Sequence, residues 1–153
     1  MLDLRIPLRN NPLRPMPQKS SARKRLTRKE ARELEVKIDF LEGIVRRDAG
    51  YVEALQLLGD HYTQRGQFED GLKIDERLSR LEPGNPLVFY NLACSYSLTG
   101  QVDQAAASLD KALSLGYRDF RWLASDPDLR TLRSHPLYQN IEKKIRKMRV
   151  DVT

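Results

Sequence analysis

The chain has one cysteine, Cys94, and two histidines, 74 positions apart, in 153 residues. A single thiol excludes an internal disulfide framework and any cysteine-rich zinc module, and fits a reducing compartment. Two distant histidines with no cysteine pair give no metal-ligand spacing, so neither a metal nor a cofactor is expected. Aromatic residues are scarce at 7%, and none occurs before Phe40. No apolar run approaches the ~20 residues that span a bilayer. The opening "MLDLRIPLRNNPLRP" interrupts any signal-peptide apolar region with arginine and proline, so a cytoplasmic setting is the expectation. No glycine-rich phosphate loop is present, and no segment alternates apolar and polar residues as a half-buried strand would. A chain of this length reads as one domain able to bury roughly two-thirds of its unfolded surface.

What is abundant is charge, and it is unevenly placed. The net charge is +6, yet residues 1–30 carry +7, residues 31–140 carry −4 and residues 141–153 carry +3. The body is mildly acidic between two basic ends. Four of the eight prolines fall within residues 7–17. Residues 1–26 therefore lack the apolar content that offsets ordering entropy and read as a flexible basic tail.

Periodic order begins at Thr27. With Glu30 three residues on, Thr27 forms a capping box for a helix over 28–47, whose Leu34, Ile38, Leu41 and Val45 recur at helical spacing. Further helices are expected at about 52–64, 69–81, 87–98 and 102–115. "EPGNP" supplies a cap at Asn85 and a first-turn proline at Pro86, and "RGQ" and "TGQ" supply turns. The prediction is an all-α chain.

Two stretches superpose at an offset of 34 residues: Leu55 on Phe89, Leu58 on Leu92, Gly59 on Ala93, Tyr62 on Tyr96, Gly66 on Gly100, Phe68 on Val102 and Leu81 on Leu115. With Pro83, Ala105 and Ala112, this pattern resembles the tetratricopeptide repeat, a 34-residue helix pair. Gly71 and Asp75 depart from the pattern in the first copy, and Tyr117 replaces proline in the second. The resemblance implies a right-handed superhelical stack of antiparallel helix pairs over 27–149: a capping helix (28–47), repeats at 52–85 and 86–119, and a degenerate closing repeat with a final helix entered at Pro136 (120–149). Caps at both ends suggest a self-contained adaptor.

The run "GDHY", Gly59 to Tyr62, is explained by this frame. Gly59 aligns with Ala93 where two backbones approach, which outweighs glycine's cost of about 1 kcal/mol in a helix. Asp60 and His61 align with Cys94 and Ser95, so no chemical device repeats, and neighbouring helical side chains diverge too far for a proton relay. Cys94 reads as a small filler. Asp126 and Asp128 lack the further oxygen ligands of a calcium loop; Asp126 or Ser125 is expected to end one helix and cap the next. The chain is accordingly expected not to be an enzyme.

The resemblance places groove-facing side chains at Glu53, Gln56, Asp60 and Thr63, then Leu87, Tyr90, Cys94 and Ser97, with Arg121 opening a third set and Asn91 positioned to bond a peptide backbone. It implies a protein or peptide partner. The clamp that holds acidic chaperone C-termini in the family is poorly matched: Gln56, Asp60 and Ser125 stand at its positions, with only Asn91 and Arg121 compatible. Glu53 and Asp60 favour a basic or neutral segment. The alternative is a nucleic-acid- or ribosome-associated protein that uses Arg23, Lys24, Arg25, Arg28 and Lys29 with Lys143, Lys144 and Lys147, where each phosphate neutralised would steepen the salt dependence of binding. The tail offers no aromatic for base stacking.

Overall fold

The computed structural model describes residues 25–151. Most of the predicted tail, including Arg23 and Lys24, lies outside the described residues. Among the described residues there is no strand. The helices are α1 (Arg28–Arg47), α2 (Val52–Arg65), α3 (Phe68–Leu81), α4 (Pro86–Leu98), α5 (Val102–Ser114), α6 (Phe120–Ser125), α7 (Arg130–Arg133) and α8 (Tyr138–Val150), with a 3-10 turn at Pro127–Leu129.

Local chemistry sets these boundaries. The Thr27 hydroxyl accepts from the Glu30 N–H at 3.2 Å, and the Glu30 carboxylate accepts from the Thr27 N–H at 2.8 Å, which completes the capping box. At the start of α4, the Asn85 side chain accepts from Leu87 N–H at 3.0 Å while Pro86 takes the first turn, where its missing N–H is no loss. Gly66 and Gly100 end α2 and α4 with φ of 84° and 76°. At each, the following glutamine N–H reaches back over the last turn, Gln67 to the Tyr62 carbonyl at 2.8 Å and Gln101 to the Tyr96 carbonyl at 2.9 Å. That is the Schellman arrangement, and it requires the left-handed conformation that glycine adopts without strain.

The helices pack in chain order, α1 on α2, α2 on α3, α3 on α4 and α4 on α5, as an all-α stack consistent with the tetratricopeptide-like arrangement. The predicted stripe of α1, Leu34, Ile38, Leu41 and Val45, is buried in one core with Leu55, Leu58 and Leu78. A second core joins α4 and α5 to the C-terminal segment through Leu109, Leu113, Leu123, Leu129, Leu132 and Ile141.

Gly59 lies where the frame predicts a close approach. A Cβ there would sit 3.2 Å from Ile74 Cγ2 and 3.5 Å from Asp75 Oδ1. Gly71, one of the departures, lies on the opposite side of the same contact: its Cβ would be 3.3 Å from Thr63 Oγ1 and 3.7 Å from the Gly59 carbonyl oxygen. The other departure, Asp75, is buried, and the Ser95 hydroxyl of α4 donates to its carboxylate. A polar pair thus stands at an α3–α4 contact where the repeat pattern has a core residue, and the buried polar group is tolerated because it is hydrogen-bonded.

The closing unit is less regular than expected. Its final helix begins at Tyr138, two residues after Pro136, and two short helical turns occupy Pro127–Arg133. Of the expected stripe, Ile141, Ile145 and Met148 pack into the second core, joined by Tyr138, whereas Leu137 precedes the helix and is half-buried.

Candidate partner-binding groove

Helices α2 and α4, the first helices of the two expected repeats, carry the predicted groove positions. Glu53, Gln56 and Asp60 of α2 and Asn91 of α4 are half-buried, and Leu87 is exposed. Leu57, not anticipated from the sequence, is 45% exposed and shares the frame position of Asn91, 34 residues on. Likewise Glu53 shares the position of Leu87. Two frame positions shared by α2 and α4 therefore each present one leucine and one polar side chain. The signal for Leu57 was available: it is an apolar residue outside the buried stripe formed by Leu55, Leu58 and Tyr62.

Several expected groove residues do not face solvent. Thr63 is buried, and its hydroxyl donates to the Gly59 carbonyl at 3.0 Å, within the α2–α3 contact. Tyr90 and Cys94 are covered by the closing unit. The Tyr90 hydroxyl donates to Asp126 Oδ2 at 2.7 Å, the Cys94 thiol approaches the same oxygen at 3.7 Å, and the Tyr90 ring stacks on Tyr117 with centroids 4.2 Å apart. Ser97 is buried too, accepting from Leu132 N–H at 3.3 Å. For the three α4 residues the physical reason is shared: Asp126, Leu129 and Leu132 lie against the side of α4 on which a partner was expected. Burial, with the neighbouring Asp126 carboxylate contributing, pushes the Tyr90 hydroxyl far above its ordinary titration range.

Asp126 has a clear structural task. It accepts from Asp128 N–H at 3.0 Å, capping the 3-10 turn, while its own N–H bonds the Trp122 carbonyl at 2.8 Å. This is the predicted end-and-cap role. Arg121 is exposed on the six-residue α6.

Of the basic candidates, Arg25, Arg28, Lys29, Lys143 and Lys147 are exposed. Lys144 is not available in the same way. Its ammonium bonds Asp110 Oδ1 at 2.7 Å and Ser114 Oγ at 2.8 Å, which ties α8 to α5. Two clefts lie away from the groove positions. One of about 280 Å³ is lined by Glu35, Asp39, Glu42 and Arg65, and one of about 550 Å³ by the 81–86 turn and Leu115. Among the described residues no cluster of metal-ligating side chains occurs, and no helix is long and apolar enough to cross a membrane.

No family model matches the sequence. The chain is similar to a chloroplastic protein of Arabidopsis thaliana, with 37% identity over 78 residues, 49% of this chain and 23% of that protein. It is also similar to the peroxisomal targeting signal receptors of Komagataella phaffii and Komagataella pastoris, with 33% identity over 90 residues, 58% of this chain and 16% of each receptor. The chain thus spans less than a quarter of the length of the curated relatives it matches.

Proposed function

We propose that this chain is a tetratricopeptide-repeat adaptor that performs no catalysis and holds a segment of a partner protein against α2 and the exposed edge of α4. The observation that carries the reading is the paired presentation of Leu57 with Asn91 and of Glu53 with Leu87 at matching positions of successive first helices. Leucines offer apolar anchoring, and the Asn91 amide can donate to and accept from an extended backbone. Glu53 and Asp60 bias the site toward basic or neutral segments through charge complementarity. Similarity to receptors for a peroxisomal targeting signal supports a protein or peptide partner. Thr63, Tyr90 and Cys94 act in this reading as supports beneath the surface.

The exposed cations Arg25, Arg28, Lys29, Lys143 and Lys147 favour a second reading, attraction to nucleic acid, and the two are separable. Tagged protein is used to capture partners from its native lysate, in the cytoplasmic setting the reading assumes, with and without nuclease. A defined protein retained after nuclease is expected. A set of nucleic-acid-binding proteins that vanishes with nuclease would transfer the function to the basic ends.

A further inference from the structure

Helix α1 has a second apolar face that no described residue covers. Phe40 and Val36 are 68% and 64% exposed. At about 100° per residue they lie half a turn from the buried stripe of Leu34, Ile38, Leu41 and Val45, and so point away from the stack. The 34-residue frame explains the contact they lack. Phe40 holds the position of Ile74 and Ser108, both buried, and Ile74 is the residue packed on Gly59 of its own repeat's first helix. Lys37, however, stands where Gly71 and Ala105 allow close approach. A repeat-type first helix would press against that lysine, so the face suits a different occupant.

We infer that the occupant is a second copy of α1, packed antiparallel across a twofold axis that passes near Val36. The charges flanking the apolar strip are arranged for self-recognition. Arg32 and Asp39 lie on one flank, Glu33 and Lys37 on the other, and all four are exposed. In an antiparallel pair each flank meets its own copy. A crossing near Val36 then sets Arg32 opposite Asp39 and Glu33 opposite Lys37, pairing opposite signs on both sides. Phe40 lies over the aliphatic stem of the copy's Arg32, a geometry open to cation–π attraction. Gly43, with no Cβ, leaves room at the strip's end. A single helix pair buries less than the about 1,600 Å² of a standard interface, so the dimer is weak and its population grows with concentration.

Sedimentation of the full chain over a concentration series tests this. A reversible monomer–dimer equilibrium is expected, and Phe40→Glu should abolish the dimer while leaving the helical circular dichroism signal intact. Arg32→Asp or Asp39→Arg alone should lose the dimer, and the two together should restore it. Val36→Cys should form a disulfide-linked dimer on mild oxidation, whereas Leu81→Cys, exposed elsewhere, should not. A wild-type chain that stays monomeric at its solubility limit would overturn the inference, as would a dimer indifferent to Phe40→Glu. Failure of the double reversal to restore the dimer, or equal cross-linking at 36 and 81, would refute the antiparallel copy.

Discussion

Replacing Tyr90 with phenylalanine isolates one hydrogen bond inside the contact between α4 and the closing unit. Tyr90 is 1% exposed, and its hydroxyl donates to Asp126, itself 1% exposed, at 2.7 Å. Phenylalanine keeps the ring and therefore the stacking on Tyr117. It removes a donor from a buried carboxylate, an interaction worth about 1.5–3 kcal/mol. Asp126 retains the Asp128 N–H and the Cys94 thiol, so the cost stays below the roughly 3–5 kcal/mol that follows when a buried ion pair loses a partner outright. A loss of about 2 kcal/mol corresponds to a fall in Tm of roughly 4–8 °C for a domain of this size. Tyr90→Ala would cost about 3–5 kcal/mol from lost burial and the cavity left behind, besides the lost hydrogen bond, and would threaten folding itself. Urea denaturation gives the free energies, with Asn91→Ala as the control; its half-exposed side chain predicts a change within about 0.5 kcal/mol. An unchanged midpoint for Tyr90→Phe, or a larger loss for Asn91→Ala, would refute the assignment of Tyr90 as a support and Asn91 as surface.

Three further outcomes follow from the packing. Gly59→Ala should be nearly neutral, because the new methyl meets Ile74 Cγ2 at 3.2 Å, a contact that a small shift relieves, while alanine recovers about 1 kcal/mol of helix propensity; Gly59→Leu should cost about 1–3 kcal/mol or more, and equal melting of the two variants would contradict the close approach. Ser95→Ala removes a buried donor from the Asp75 carboxylate and should cost about 1.5–3 kcal/mol in urea denaturation, with an unaltered midpoint counting against that pair. Tyr62, Tyr90 and Tyr117 all have hydroxyls raised above 10.0, first by burial, so the neutral form is favoured in the fold; stability is fully present below pH 10 and is lost as pH rises above it. Their phenolate absorbance should therefore appear together with loss of the helical signal, and smooth titration near pH 10 in a still-helical chain would contradict their burial.

The helix boundaries were legible because each is written in local chemistry. Thr27 with Glu30, Asn85 with Pro86, and the glycines of "RGQ" and "TGQ" fixed α1 through α5 to within a residue. The all-α stack was legible in the 34-residue frame. The frame gives the direction of a side chain relative to its own helix pair, and is silent on what lies beyond. Tyr90 and Cys94 occupy expected groove positions by register, yet their exposure depends on Asp126, Leu129 and Leu132, which sit in a degenerate unit whose register was carried no further than Arg121 and Ser125. Lys144 shows the same limit: its place on a charged face was readable, but its bonds to Asp110 and Ser114 needed the docking of α8 on α5. Leu57 differs from these: its place outside the stripe of Leu55, Leu58 and Tyr62 was readable from helical spacing, and only the extent of its exposure needed the packed structure.

The most direct test of partner binding is the affinity of the captured partner for a chain carrying both Leu57→Glu and Asn91→Ala, measured by titration calorimetry beside the wild type. Both side chains lie at the surface, so the helical signal and melting cooperativity should be retained while binding falls by tenfold or more, about 1.4 kcal/mol or above. Undiminished affinity in a folded double variant would contradict the groove on α2 and α4.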